Sequence, residues 1–314
     1  MNCYLCQNNH IKLIRNRLRH DIKRNVLQCQ NCGLVFLEPK KSDLSDFYAK
    51  DYRKLYTPVL GKELESKELF TMYLPYQAKR LKELNDILRK DMSVLEIGCS
   101  SGHFLYAMRQ AGYAKECIGI EFNQKDAQFC NDRLGIKVYQ KPIEQTDIPK
   151  NHFDLIVMYH TLEHIEDPIG FLKNVSAYLK DSGHLAIEVP NVRDALLSMY
   201  QIKEYADFWF REPHIYNFSP QTLSLVLEKA GFKGEVRSIQ EYNFLNHLNW
   251  LLTAKPQKNL NLGAAEPKLI LSENTPALIR EDINQWFSKV NQEYINLLNK
   301  HQLGGNILFV GKKK

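Results

Sequence analysis

Val94-Leu95-Glu96-Ile97-Gly98-Cys99-Ser100-Ser101-Gly102-His103-Phe104-Leu105 passes from an apolar run, through a turn holding two glycines, into a helix-like pattern. A glycine turn between a strand and a helix brings a ligand close to the backbone N–H groups at the helix start. Two cofactor patterns compete for it. The dinucleotide fingerprint requires G-x-G-x-x-G, but counting from Gly98 the next two positions are Ser100 and His103. The other pattern sets an acidic residue ahead of Gly-x-x-x-Gly, and Glu96, Gly98 and Gly102 satisfy it.

Working outward, strands and helices alternate. Residues 93–98, 117–121, 136–139, 153–159, 185–189 and 306–310 are apolar and strand-like. Helices are predicted over 75–90, 102–111, 123–134, 167–179 and 219–230, with Asp167 and Ser219 as N-caps, each followed by proline at the first helical position. Residues 234–254 mix both signals. Residues 277–301 carry Ile279, Ile283, Trp286, Phe287, Val290, Tyr294, Leu297 and Leu298 on one helical stripe. The rhythm predicts an α/β fold with a mostly parallel sheet and helices on both faces.

The ordered set Glu96, Gly98 and Gly102, then Glu121, then FDLIVMYHTLEH over 153–164 and LKDSGHLAIEVPN over 179–191, resembles the class I S-adenosylmethionine-dependent methyltransferases. Their first motif reads acidic-x-Gly-x-Gly-x-Gly, and Ser100 stands here at the middle glycine. The resemblance covers roughly 75–240. It implies a Rossmann-like, mostly parallel seven-stranded sheet and S-adenosylmethionine as cofactor. It assigns cofactor contacts to Glu96, Gly98, Cys99, Ser100 and Gly102, the ribose to Glu121 beside Phe122, the adenine to Ile143 and Glu144, and a place at the edge of the fourth strand to Tyr159.

Transfer to a hydroxyl needs a base. His214, in R-E-P-H-I-Y-N-F-S-P, is the preferred candidate, since related enzymes carry a similar His-x-x-x-Phe-Ser/Thr segment; a packed loop histidine is the alternative. His160 and His164 flank Glu163 in H-T-L-E-H, which suits either a pocket wall or a metal. His247 is a third candidate. Its segment, with Tyr242, Asn246 and Trp250, resembles one in methyltransferases of bacterial surface-sugar pathways. That implies an acceptor wall for a sugar or sugar nucleotide, although Tyr242 and Trp250 equally suit a core.

Cys3-x-x-Cys6 and Cys29-x-x-Cys32 read as two knuckles of a small zinc-ribbon-like module, four thiolates suiting one structural Zn²⁺. Cys99, Cys117 and Cys130 complete the seven cysteines and read as small buried hydrophobes. The expected organisation is a zinc module over 1–40, a linker and helical lead-in over 41–75, and a methyltransferase domain over 76–314 with acceptor-binding elements at about 191–303.

The net charge of +6 is too mild to imply nucleic acid. Residues 10–25 concentrate Lys12, Arg15, Arg17, Arg19, Lys23 and Arg24, a grip for an anionic acceptor or for RNA. The same stretch holds no Phe, Tyr or Trp, which disfavours stacking on bases. With no apolar leader and no membrane-length run, a cytoplasmic enzyme is expected. Rival readings are an RNA-directed methyltransferase and an interaction protein that keeps the fold without turnover. Oligomeric state is left open.

Overall fold

The computed structural model describes residues 1–40, 55–56 and 62–314. Of the linker and helical lead-in expected over 41–75, residues 41–54 and 57–61 lie outside them. The chain starts with β1 (Ile11–Arg17), β2 (Lys23–Cys29) and the short β3 (Val35–Leu37), paired antiparallel in that order. Two helices, α1 (Ser66–Tyr73) and α2 (Gln77–Glu83), lead into the main sheet.

The glycine turn sits between β4 (Met92–Ile97) and α3 (His103–Gln110). β5 (Ala114–Ile120), α4 (Gln124–Phe129), β6 (Lys137–Tyr139), β7 (Phe153–Tyr159), α5 (Pro168–Ser176) and β8 (Leu179–Pro190) follow. β4 and β7 are buried along their whole length, as strands covered on both faces must be. Side chains alternate across the sheet: Leu95, Ile97, Ile156 and Met158 enter one core layer, while Val94, Leu155, Val157 and Tyr159 enter the other.

Beyond β8 come α6 (Ala195–Ser198), α7 (Lys203–Trp209), the two-residue β9 (Tyr216–Asn217), α8 (Pro220–Lys229), β10 (Phe232–Ile239), α9 (Phe244–Thr253), α10 (Ala277–Lys300) and β11 (Asn306–Lys313). The main sheet runs β10-β11-β8-β7-β4-β5-β6, with only β11 antiparallel to its neighbours. This is the expected mostly parallel seven-stranded, Rossmann-like sheet. Both N-caps form: Asp167 accepts from Gly170 N at 3.0 Å, and Ser219 accepts from Thr222 N at 3.2 Å.

Three features depart from expectation. β8 starts at Leu179 rather than 185, because Leu179 pairs with Phe153 and that ladder takes the end of the expected helix. The helix after β5 stops being regular at Phe129 and continues over Cys130–Leu134 as a π turn, closed by Gly135 in the left-handed region (φ 59°). Along α10 only Phe287, Asn291 and Leu298 are buried, whereas Trp286 and Leu297 are more than half exposed. The helix meets the body along a narrow line, not the whole stripe.

The largest surprise is at the N-terminus. β3 pairs with β9, so the small sheet is β1-β2-β3-β9 and takes its last strand from residues 216–217. Cys3, Leu5, Leu27, Cys29, Leu34 and Phe36 pack into the same core layer as Ile156 and Met158. On the other side of the small sheet, Val26, Val35 and Leu37 pack with Leu196, Tyr205, Phe210 and Trp250. The Tyr4 hydroxyl donates to Asp167 and accepts from Ile169 N at 2.9 Å, tying the module to the start of α5. The segment expected as a separate module over 1–40 is therefore woven into the rest. Among the described residues, no helix is long and apolar enough to cross a membrane.

Candidate active site

The glycine turn is held open by unusual backbone. Gly98, Ser100 and Gly102 all have positive φ, at 78°, 46° and 73°. Glycine is required at 98, since a Cβ there would run into the Thr161 hydroxyl, and at 102, where it would lie 2.8 Å from Cys130 Sγ. Ser100 has no such freedom and bears the strain of the left-handed region. What holds it is its neighbour on the next strand: Ser100 N–H donates to Glu121 Oε2 at 2.8 Å, and Asn123 N–H donates to Oε1 at 2.7 Å. The Glu121 carboxylate is thus aimed by two amides at the mouth of the turn. Phe122 beside it is exposed. Cys99 points the other way, its sulfur against Gly119, so only its backbone borders the mouth. Ile143 buries its side chain in the core, while Glu144 is exposed.

Behind the turn lies a buried charge cluster. Glu188 accepts from Asn306 Nδ2 at 3.0 Å and lies 3.1 Å from His160 Nε2 and 3.5 Å from Arg80. The Arg80 guanidinium also sits 3.9 Å over the Tyr159 ring, which packs against Phe104. Burial alone would raise the Glu188 carboxyl, but Arg80 and His160 outweigh it and hold it at about 2. Burial pushes Glu96 up to about 8 against the pull of Arg80, and its Oε2 has no hydrogen-bond partner among the described residues.

The expected catalytic histidines fare differently from their reading as bases. Burial would lower His160, yet Glu163 and Glu188 lift it to about 10. The two carboxylates favour its protonated ring, which suits a donor better than a proton acceptor. His214 is 6 % exposed and pushed well below its ordinary value by burial, so its ring is neutral but weakly basic. Its ring stands perpendicular to that of His164 at 5.0 Å, beside Glu163. His247 is 1 % exposed, with Nδ1 2.8 Å from the Tyr294 hydroxyl and Nε2 3.1 Å from Gln240 Nε2. It is a core histidine satisfied on both sides.

The expected acceptor wall is mostly scaffold. Asn246 donates to Gln257 Oε1 at 2.9 Å, and Trp250 is buried edge-on to Tyr205 at 4.9 Å. Tyr242 alone of that group stays half-exposed. Residues not anticipated are Arg80 and Glu188, together with Tyr73 stacked on His103 at 5.5 Å. A lone acid in the apolar strand LAIEV was a signal for Glu188; Arg80 had none, since an arginine on an amphipathic helix ordinarily faces water.

At the N-terminus the four sulfurs of Cys3, Cys6, Cys29 and Cys32 lie within 4.8 Å of one another, with Cys3–Cys32 at 3.6 Å and Cys6–Cys29 at 3.5 Å. Tetrahedral Zn–S bonds of about 2.3 Å put sulfurs about 3.8 Å apart, so the donor set fits zinc in kind and spacing. The basic stretch is largely spoken for. Arg15 pairs with Asp207, Arg17 with Asp21 at 2.7 Å, and Arg24 donates to the Glu38 carbonyl at 3.1 Å. Arg19 is buried, its guanidinium 4.0 Å over the Phe208 ring.

A family model described as a methyltransferase domain matches residues 71–235. A tRNA U34 carboxymethyltransferase from Hydrogenovibrio crunogenus is 30 % identical over 183 residues, which is 51 % of this chain and 52 % of that protein. A ubiquinone biosynthesis O-methyltransferase from Rickettsia conorii is 24 % identical over 175 residues, 54 % of this chain and 60 % of that one. The chain spans about half the length of the curated relatives it matches. Among solved structures, an S-adenosylmethionine-dependent methyltransferase from Archaeoglobus fulgidus superposes with a TM-score of 0.50 at 23 % identity, over 79 % of this chain and 97 % of that one, a likeness of fold.

Proposed function

This chain belongs to the methyltransferase domain family, and from that premise we propose that it transfers a methyl group from S-adenosylmethionine to a small polar acceptor, a sugar or sugar nucleotide by preference. The observation that carries the reading is the link between the turn and the next strand. Ser100 and Asn123 amides both end on Glu121, at the turn whose positive-φ backbone Gly98 and Gly102 permit. A carboxylate can accept about four hydrogen bonds, so one aimed by two amides suits the diol of a ribose. In this reading the backbone of Gly98, Cys99, Ser100 and Gly102 borders the methionyl end, and Phe122 and Glu144 border the nucleoside.

When bound, the cofactor supplies a sulfonium-activated methyl group and a neutral leaving group. The chain then has to align the acceptor and exclude water, worth several kcal/mol. His160, partly exposed above the buried Glu188 that pairs with it, offers a polar donor at the edge of β7 for orienting a polyhydroxylated molecule. Zn²⁺ at Cys3, Cys6, Cys29 and Cys32 is assigned a structural role, and the free thiols suit the reducing cytoplasm.

RNA is the second reading, favoured by the tRNA-modifying relatives. The engagement of Arg15, Arg19 and Arg24 within the fold weighs against it, because those side chains already have partners, whereas Arg17 stays exposed. Transfer of labelled methyl groups to a panel of sugar nucleotides and to bulk tRNA separates the two. Label in the sugar fraction is expected; label confined to RNA overturns the small-acceptor reading.

A further inference from the structure

The segment H-T-L-E-H leaves β7 and folds as a tight turn over Leu162–His164, which sets Glu163 and His164 side by side. His214 arrives from a distant part of the chain, just ahead of β9. One ligand atom from each of the three lies within 4.8 Å of the other two. Glu163 is 1 % exposed, yet neither of its carboxylate oxygens has a hydrogen-bond partner among the described residues. The His160 ring at 3.7 Å offsets part of its charge, but a buried carboxylate that makes no hydrogen bond is still costly, and a coordinated cation would satisfy both oxygens.

The histidines suit the same purpose. His164 Nδ1 lies 3.0 Å from the Pro213 carbonyl, so in the neutral ring Nδ1–H donates there and Nε2 is directed to Glu163, 3.9 Å away. A backbone carbonyl that fixes the tautomer in this way is the usual outer support of a metal-bound histidine. His214 is buried beside them, its ring perpendicular to that of His164. Among the described residues, the charged side chains nearest this group are His160, whose Nδ1 is 3.7 Å from Glu163 Oε1, and Arg211, whose charge acts on His164 and His214.

We propose that Glu163, His164 and His214 form a second metal site, for a divalent transition-metal ion, separate from the four cysteines. An ion centred among three atoms at most 4.8 Å apart sits within about 2.8 Å of each, so drawing each in by no more than about 0.7 Å reaches bonding distance. Two imidazoles and one carboxylate favour Mn²⁺, Fe²⁺, Co²⁺ or Zn²⁺ over Mg²⁺ or Ca²⁺ and leave coordination positions for other oxygens. The neighbouring Thr161 hydroxyl donates to the Ile97 carbonyl at 3.1 Å, where the glycine turn begins, so the ion lies beside the proposed methyl-donor pocket. There it would bind a hydroxyl or anionic oxygen of the acceptor and lower the pKa of a bound hydroxyl. This last role rests on the methyl-transfer reading; the site itself does not.

The test uses the full chain with one zinc per molecule in the cysteine cluster and neither cofactor nor acceptor present. Titration with Mn²⁺, followed by electron paramagnetic resonance, is expected to reveal one further ion per chain. In Glu163→Gln and His214→Gln that affinity falls by about 100-fold or more, while the zinc content is unchanged. Co²⁺ gives an independent readout in the unaltered protein, since an N₂O site shows weak ligand-field bands without the thiolate charge-transfer bands of a cysteine site. No second ion at millimolar Mn²⁺, an affinity indifferent to both substitutions, or cobalt bands of thiolate character alone would overturn the proposal. A failure of methyl transfer does not touch these measurements, so the two readings fail separately.

Discussion

The edge that carries the glycine turn and the corner that carries the four cysteines are built in opposite ways. At the edge, the frame comes from one stretch of chain: β4, the turn, α3, β5 and Glu121, with Glu121 closing back on Ser100. At the corner, residues 1–40 form three strands, residues 216–217 the fourth, and α6, α7 and Trp250 the packing behind. The first assembly is completed by consecutive elements. The second exists only after distant segments meet. Local closure makes a site self-contained, and distributed closure makes its parts depend on one another.

That contrast can be broken most forcefully by removing metal from the cysteines. Structural zinc in small modules contributes about 10–16 kcal/mol of apparent binding free energy. Chelation, or Cys29→Ser with Cys32→Ser, is expected to unfold the small sheet, release β9 with His214 beside it, and abolish turnover. Cofactor binding, followed by calorimetry with the demethylated product, is expected to fall less than turnover, because the turn itself draws on β4, α3 and β5. Equal loss of both would show that edge and corner are one cooperative unit.

A smaller effect tests the charge cluster behind the edge. Arg80→Met leaves Glu96 and Glu188 buried with less compensation, at about 3–5 kcal/mol. A melting temperature lowered by roughly 10 °C is expected; an unchanged melt would mean that the cluster is solvated and not a buried network. Next comes Glu121→Ala, which removes charged acceptors from the mouth. Hydrogen bonds to charged groups are worth about 1.5–3 kcal/mol, so cofactor affinity should weaken by about 10- to 100-fold with the fold intact. Affinity unaffected by this change would place the cofactor elsewhere.

Smallest is Ser100→Gly. Serine at φ 46° gives up about 1–2 kcal/mol to left-handed strain, and glycine returns about half of that in chain entropy. Chemical denaturation should show a stability gain below about 1 kcal/mol. A loss would mean that the serine side chain, not the backbone bend, matters at this position.

How much of this was readable in the sequence follows the same division. The placement of Glu96, Gly98, Gly102 and Glu121 around one turn was legible because strand, turn and helix periods meet there in order, and the caps Asp167 and Ser219 because capping is local chemistry. The strand at Leu179 was not, because pairing with Phe153 overrode a helical pattern. Arg80 read as a solvent-facing residue of α2, since the anion it meets, Glu188, lies across the sheet. Asn246, His247 and Trp250 looked like a wall because polar and aromatic residues cluster in both walls and satisfied cores. Only their partners, Gln257, Tyr294 and Tyr205, tell the two apart. The basic stretch looked like an anion grip for the same reason, its acidic and aromatic partners lying near residue 210.

The borrowed strand β9 also imposes an order of events during synthesis. Residues 1–40 leave the ribosome long before Tyr216 and Asn217 exist, so β3 first presents a bare edge whose amides and carbonyls invite foreign strands. An ion seized early by the two cysteine pairs would hold that half-made hairpin in register until its missing strand is translated. With metal bound there, its supply in the growing cell would then govern how much nascent chain matures and how much aggregates.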